Sequence, residues 1–310
     1  MEMRLLGNTG LSVSAMSMGG AAIGQQYGPV SVADAAATIH AGIDAGINFI
    51  DTSAFYGEGK SEEILGEVLS GGWRDKVMIG TKVGRITRDR FDFSAAGMRS
   101  SLEASLRRLR TDHVEILLAH DIEYADDYER IFIETAEVLH KLKAEGKCRF
   151  VGMSAYPLGL LARAIERCHL DVVISYCHFS LQNTRLMTEL MPVAERHGVG
   201  ILNASPLSMG LLTEQGPPEW HPANADIRHA CQTAAANCRS HGWDIAALGM
   251  QFCFAESRIP STITGTAKHS ELEANLRTLS EPANWDGIFT ATDALAFVRD
   301  QTWASGHWVG

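Results

Sequence analysis

The chain has 310 residues, with 27 Lys+Arg against 37 Asp+Glu and a net charge of −10. That acidic balance excludes nucleic acid and anionic membranes as general partners, because both select basic surface. Hydrophobic residues make up 45% and charged residues 21%, which fits a globular chain able to bury a large core and not a disordered one. No apolar run nears the ~18 residues of a membrane span, and residues 1–10 (MEMRLLGNTG) lack the apolar stretch of a signal peptide. The six cysteines, Cys148, Cys168, Cys177, Cys231, Cys238 and Cys253, show no paired spacing. This reads as reduced thiols in the cytoplasm and no metal.

Taken in chain order, residues 4–13 (RLLGNTGLSV) predict a β-hairpin turning on glycine, which would cap one end of the fold. Short apolar or β-branched runs then alternate with amphipathic stretches. The predicted strands are Ala15–Gly19, Asn48–Asp51, Val77–Thr81, Val114–His120, Arg149–Met153, Val172–Ser175, Gly200–Asn203 and Ser261–Gly265. The predicted helices between and after them are Val32–Ala45, Ser61–Leu69, Ala95–Arg108, Tyr128–Glu145, Leu158–Cys168, Leu186–His197, Ile227–Glu256 and Ser270–Leu279. Gly242 is a point at which the long Ile227–Glu256 pattern can break. A tail from Pro282 carries a helix-like stretch near Thr290–Arg299. No Pro/Gly/Ser-rich linker divides the chain, so residues 1–310 read as one domain. Parallel strands need helical crossovers, and eight such units close into a (β/α)8 TIM barrel, here with an N-terminal hairpin cap and a C-terminal tail. An open doubly wound sheet is the alternative, weakened because no GxGxxG joins the first strand to the first helix.

In a barrel, chemistry gathers at the C-terminal ends of the strands. Asp51 ends the second predicted strand and Tyr56 follows five residues later. Lys82 ends the third strand and His120 the fourth. A lone Asp or His in such a place is more often a cap or a loop group. Three successive strands ending in Asp, Lys and His, with a Tyr beside them, form a stronger pattern. A tyrosine, with a pKa near 10 in water, is a poor base at neutral pH. A neighbouring ammonium stabilises its phenolate, and a carboxylate keeps that ammonium charged and oriented. A histidine opposite can bind the substrate oxygen or relay a proton. The set suits reversible proton transfer at a carbonyl or carbinol oxygen, and it needs a hydride partner, so a nicotinamide is implied.

Residues 51–57 (DTSAFYG), Thr81-Lys82 and Leu118-Ala119-His120 resemble the signature segments of the aldo-keto reductases. The likeness extends over nearly the whole chain, through residues 6–13 (LGNTGLSV), residues 57–66 (GEGKSEEILG) and Ser205-Pro206-Leu207. It implies a (β/α)8 barrel that binds NAD(P) in an extended pose, with Asp51, Tyr56, Lys82 and His120 as a tetrad and Tyr56 as acid/base. By the same resemblance Gly20 contributes to the cofactor site and Ser154 holds the nicotinamide carboxamide. Ser205, Leu207, Met209 and Gly210 wrap the pyrophosphate. Gly265, Thr266, Lys268, Glu271 and Asn275 surround the adenosine. Two family positions differ here: Ala155 stands for an Asn, and Ala204 for the aromatic that stacks on the nicotinamide. Tyr176, on the next strand, is the ring that could replace it. Glu271 stands where NADP-preferring relatives carry a basic residue, so NAD is expected over NADP, with Lys268 acting against that preference.

Residues 216–222 (GPPEWHP) and 175–181 (SYCHFSL) resemble the aldose 1-dehydrogenase branch of the family, the L-galactose dehydrogenases above all. This implies oxidation of the C1 hydroxyl of a free aldose, of L-galactose or L-fucose/D-threo-aldose type, to the aldonolactone. Trp220 would stack on the sugar, and Asn203 and His221, with Tyr56 and His120, would bind its hydroxyls. The alternative is an NADPH-dependent aldehyde or carbonyl reductase, or a pyridoxal-type dehydrogenase, on the same scaffold. Residues 123–129 (EYADDYE) read as a solvated acidic face. Trp303, His307 and Trp308 would dock the tail on the barrel. No exposed apolar stripe stands out, which suggests a monomer or weak homo-oligomer.

Overall fold

The computed structural model describes residues 1–309. Two short strands, β1 (Met3–Leu5) and β2 (Ser12–Ser14), pair antiparallel as the predicted hairpin. Gly10 turns it with a left-handed φ of 72°. The hairpin closes the barrel bottom: Asn8 N–H donates to Gly198 O at 2.8 Å. A Cβ at Gly7 would stand 2.3 Å from Gly200 N, so only glycine lets the chains come that close.

The rest alternates as predicted. It runs β3 (Met16–Gly19), α1 (Gly20–Ile23), α2 (Val32–Asp44), β4 (Phe49–Asp51), α3 (Lys60–Val68), β5 (Met78–Val83), α4 (Ala95–Leu109) and β6 (Val114–Ala119). It continues with α5 (Tyr128–Arg130), α6 (Ala136–Ala144), β7 (Cys148–Ala155), α7 (Leu158–Cys168), β8 (Val172–Tyr176), α8 (Met191–His197) and β9 (Gly200–Ala204). Then come α9 (Ala225–Ser240), α10 (Ile245–Ala255), β10 (Ser261–Gly265), α11 (His269–Ser280) and α12 (Trp285–Ala294). Strands β3 to β10 close a barrel in chain order, and β10 pairs with β3. Every neighbouring pair in it is parallel.

Strand β6 shows why the strands read as continuous apolar runs. Ile116 and Leu118 fill the barrel interior with Phe49, Val172, Ile174, Leu202 and Ile263. Leu117 and Ala119 point the other way, into the layer between sheet and helices. Both faces are buried, so the period-2 alternation of a half-exposed strand has no reason to appear.

The Ile227–Glu256 pattern breaks at Gly242, with φ 77°, into α9 and α10, as that glycine allowed, and the other predicted helices need two corrections. Tyr128–Glu145 and Leu186–His197 are not uniform: each contains a π-turn, at Ile131–Thr135 and Leu186–Leu190. Leu186–Leu190 leads into α8, which carries Pro192 in its first turn, where its missing N–H costs nothing. The tail helix starts earlier than the pattern suggested, as α12 followed by a 3-10 turn at Ala296–Val298. Among the described residues, no helix is long and apolar enough to cross a membrane.

Candidate active site

The strand register gathers the four signature residues at one rim. Asp51 is the last residue of β4 and pairs with Gly80 of β5. Lys82 lies two residues further along β5, and His120 directly follows β6. Gly80 leaves room beneath the group: a Cβ there would press within 2.8 Å of the Phe49 ring. Tyr56 comes from the loop before α3.

Lys82 Nζ donates to Asp51 Oδ2 at 2.6 Å, to Thr52 O at 2.8 Å and to the Tyr56 hydroxyl at 3.2 Å. The ammonium is 2% exposed, so this ion pair is fully desolvated. Such burial is costly unless every donor is engaged, and all three N–H groups are. The rings of Tyr56 and His120 meet edge-on at 5.8 Å. Ser53 Oγ lies 3.0 Å from His120 Nδ1.

Burial pushes the Tyr56 hydroxyl well above its ordinary pKa, and the Asp51 and Asp121 carboxylates add to that, while Arg85 opposes it. At neutral pH Tyr56 is therefore a protonated phenol. Burial, with Lys82 and Arg85 nearby, pushes His120 well below its ordinary value, so the imidazole is neutral. Asp51 is raised by burial, with Lys82 working against the shift.

Asp51 and Tyr56 form one end of a cleft of about 660 Å³. Of the expected cofactor contacts, Ser205, Leu207, Met209, Gly210, Gly265, Lys268, Glu271 and Asn275 line it. The residue types fit an extended dinucleotide. Small side chains, from Gly19, Ala21, Ala22 and Ala267, leave its length open. Ser205, Ser208 and Met209 all hold left-handed φ values of 48–53°, strain concentrated in a loop whose backbone can then cradle an anion. Asp51 Oδ1 is buried and lacks a protein partner, an acceptor free for a hydroxyl. Glu271 also caps α11: its Oε2 accepts the N–H groups of Ala267 (3.0 Å) and Lys268 (3.2 Å).

Other expected contacts lie outside the cleft wall. Gly20 is packed against Ser61, where a Cβ would come within 2.5 Å of its Oγ. Thr266 is buried and tied to Thr264 and Asn275. Ser154 Oγ accepts the Asp121 N–H at 3.2 Å. The Tyr176 hydroxyl donates to Glu123 Oε1 at 2.9 Å. Two expected sugar ligands are turned inward. His221 donates from Nε2 to Ser208 O and accepts the Ala223 N–H at Nδ1, so both ring nitrogens are spent on its own loop. Asn203 is fully buried and donates to Phe179 O. Trp220 is half exposed, 6.5 Å from Tyr27.

Sequence reasoning missed several rim residues. Tyr27 lines the cleft from the glycine-flanked loop before α2. Arg85 pairs with Asp121 directly beside His120. Residues 123–129 are not uniformly a solvated face, because Glu123 is fully buried. Burial, with Asp121 adding to it, pushes that carboxyl up to about 7. Its Oε1 accepts from Tyr176, the Tyr156 N–H and Ser305 of the tail. The tail is thereby docked at the rim, with Trp303 stacked on Tyr156 at 5.0 Å and Trp308 edge-on to Tyr128 at 4.9 Å. The signals were thin: Arg85 is three residues past Lys82, and Asp121 adjoins His120.

Comparison with known proteins bears on the same arrangement. The model of the Aldo/keto reductase family matches residues 15–288. The chain is 41% identical to "L-galactose dehydrogenase" of Arabidopsis thaliana, covering 98% of each protein. It is 33% identical to "D-arabinose 1-dehydrogenase" of Saccharomyces cerevisiae, over 79% of this chain and 76% of that one. In fold it is similar to the holo form of aldo-keto reductase AKR11C1 from Bacillus halodurans, with a TM-score of 0.80, 22% identity and 99% of both chains covered. With the barrel closed, four polar residues at its rim and the match running through nearly all eight units, the chain belongs to the aldo/keto reductase family of nicotinamide-dependent oxidoreductases.

Proposed function

We propose that this chain oxidises the C1 hydroxyl of a free aldose of the L-galactose or L-fucose/D-threo-aldose type, using NAD, and releases the aldonolactone. The observation that carries this reading is the Tyr56–Lys82–Asp51 chain of contacts at the end of the cleft, in a protein 41% identical to one named L-galactose dehydrogenase. The nicotinamide, when bound, accepts the hydride. The protein's residues handle the oxygen and its proton. Tyr56 acts from its ionised form, reached when its proton passes to solvent as pH rises: the phenolate takes up the C1 hydroxyl proton and becomes the phenol again as the hydride leaves C1. Lys82, held by Asp51 and Thr52 O, stabilises that phenolate through its third N–H. Neutral His120 donates to the substrate oxygen and sets its direction. Trp220 offers an exposed ring for the sugar face.

Glu271 supports NAD over NADP. Its capping bonds use Oε2, which fixes the carboxylate at the cleft wall with Oε1 left for a ribose hydroxyl. A 2′-phosphate would meet that charge. In this reading the enzyme is cytoplasmic, monomeric or weakly self-associating, and its six cysteines, all free and buried, suit a reducing compartment.

The test is the initial rise in absorbance at 340 nm with NAD or NADP, across L-galactose, L-fucose, D-arabinose, L-glucose and pyridoxal. A marked NAD preference with one stereochemical set of sugars is expected. No rise with any sugar, together with NADPH consumption on simple aldehydes, would replace this reading with a carbonyl reductase.

A further inference from the structure

Beside the Lys82–Asp51 pair stands a second buried ion pair with no part in the set described so far. Arg85 Nη1 donates to Asp121 Oδ2. The two side chains are 15% and 6% exposed. The guanidinium lies 3.9 Å over the Phe55 ring, and Phe55 in turn meets the His120 ring edge-on at 5.9 Å. The same Asp121 oxygen that holds Arg85 stands 3.5 Å from His120 Nε2. On its other side His120 meets the Ser53 hydroxyl through Nδ1.

The pair is held at a cost. Gly84, with φ 97°, turns the chain so that Arg85 reaches the rim, and a Cβ there would strike the Phe93 ring at 2.4 Å. Asp121 itself adopts a left-handed φ of 53°. Two desolvated charges and a strained aspartate are poor sources of stability, and strain of this kind gathers at functional sites. Their common neighbour is His120.

A neutral imidazole carries one proton, and its neighbours decide which nitrogen bears it. An ionised carboxylate only accepts, so it favours N–H on the nitrogen facing it. Asp121 faces Nε2. The serine hydroxyl can donate to Nδ1. At 3.5 Å the carboxylate orients the Nε2–H without consuming it in a short bond, and that N–H stays free to donate to a substrate oxygen.

We propose that Asp121, anchored by Arg85, is a positioning residue that fixes His120 in its Nε2-protonated tautomer, so that the ring presents a donor to the reacting oxygen. The role in turnover rests on the function proposed above; the tautomer does not.

The test is a two-bond 1H–15N correlation of the full chain labelled with 15N-histidine, with and without NAD. The His120 signal is assigned by its loss in His120→Gln. A wild-type ring protonated on Nε2 is expected, shifting to Nδ1 in Asp121→Asn, whose amide can turn an N–H towards Nε2. Turnover in Asp121→Asn should fall about 10- to 100-fold, by analogy with metal-binding histidines that lose the outer partner fixing their tautomer, with cofactor affinity unchanged. Arg85→Lys should keep the wild-type tautomer, while Arg85→Gln, with the carboxylate unanchored, should show a mixture. If Asp121→Asn fails to fold, Arg85→Gln decides: a ring wholly protonated on Nε2 there overturns the proposal. So does a wild-type ring protonated on Nδ1, or a tautomer shift with undiminished turnover on whichever carbinol or carbonyl substrate the wild type uses. A wild type inert towards every aldose, with the tautomer shift intact, removes the sugar reading and leaves the pair's role standing.

Discussion

The two buried ion pairs at the rim differ in how the chain makes them. Lys82 and Asp51 sit within hydrogen-bonded strands, and parallel register alone brings them together. Arg85 and Asp121 sit on loop residues, brought together by a glycine turn and a left-handed aspartate. The first pair acts on Tyr56 directly and the second on His120. The strand-borne pair needs no local strain and therefore owes its geometry to the barrel, whereas the loop-borne pair is a separate addition to the same rim.

The comparison can be broken first at Tyr56, on which the first pair acts. Tyr56→Phe should lower turnover by about 10²–10⁴-fold, the usual weight of a positioned acid/base, with NAD binding retained. Near-normal turnover in that variant, measured under saturating NAD, would end the assignment. The sign of the pH dependence follows from the raised Tyr56 pKa, whose first cause is burial. Its phenol stays protonated at neutral pH, so the rate of oxidation should climb as pH rises into the alkaline range, and reduction should run the opposite way. Lys82→Met should move that climb further up, because the phenolate then loses its nearest cation.

Next in size is Glu123, a third carboxylate on the side of the second pair. Its folded-state pKa of about 7 lies above the ordinary 4.5, so the folded protein holds the extra proton. Its contribution to stability is full below pH 4.5 and lost as pH rises through 7, a swing of about 3 kcal/mol. Glu123→Gln should flatten the fall in unfolding midpoint between pH 5 and 8 relative to wild type. Identical slopes would mean that the tail is docked without Glu123 titrating.

The second pair should show itself more mildly. Arg85→Met should reduce turnover by about 10- to 100-fold and, because Arg85 opposes the rise of the Tyr56 pKa, move the alkaline climb of the rate up as well, though by less than Lys82→Met does. A shift of that climb matching that of Lys82→Met would erase the distinction between the pairs. Smallest is Glu271→Arg, which should move the NADP-to-NAD ratio of kcat/KM by about tenfold, or 1.4 kcal/mol. The capping bonds to Ala267 and Lys268 are lost in the same step, which should cost about 1 kcal/mol in stability.

The same contrast explains what the sequence revealed. Barrel strands are continuous apolar runs, so a charged residue at the end of one is conspicuous, and Asp51, Lys82 and His120 could be read at once. The hairpin was equally legible, because Gly10 marks its turn. Arg85, Asp121 and Glu123 were not, because nothing in residues 83–85 or 121–124 tells which way a loop folds back. Glu123 in particular stands in an acidic run, yet Tyr156, Tyr176 and the tail arriving from Ser305, all distant in sequence, converge on it. His221 failed in the opposite sense. It sits in the right loop, yet that loop turns on the histidine's own two nitrogens.

The tail and the hairpin leave the two ends of the described chain on opposite faces of the barrel. Met1 packs against Gly46 at the bottom, just before β4, while Ser305 to Trp308 lie against Glu123 and Tyr128 at the mouth. A tether fixed to the amino end would therefore present the mouth outward from a bead or an electrode. The same tether at the carboxyl end would hang across the opening and tug on the Trp303–Tyr156 stack.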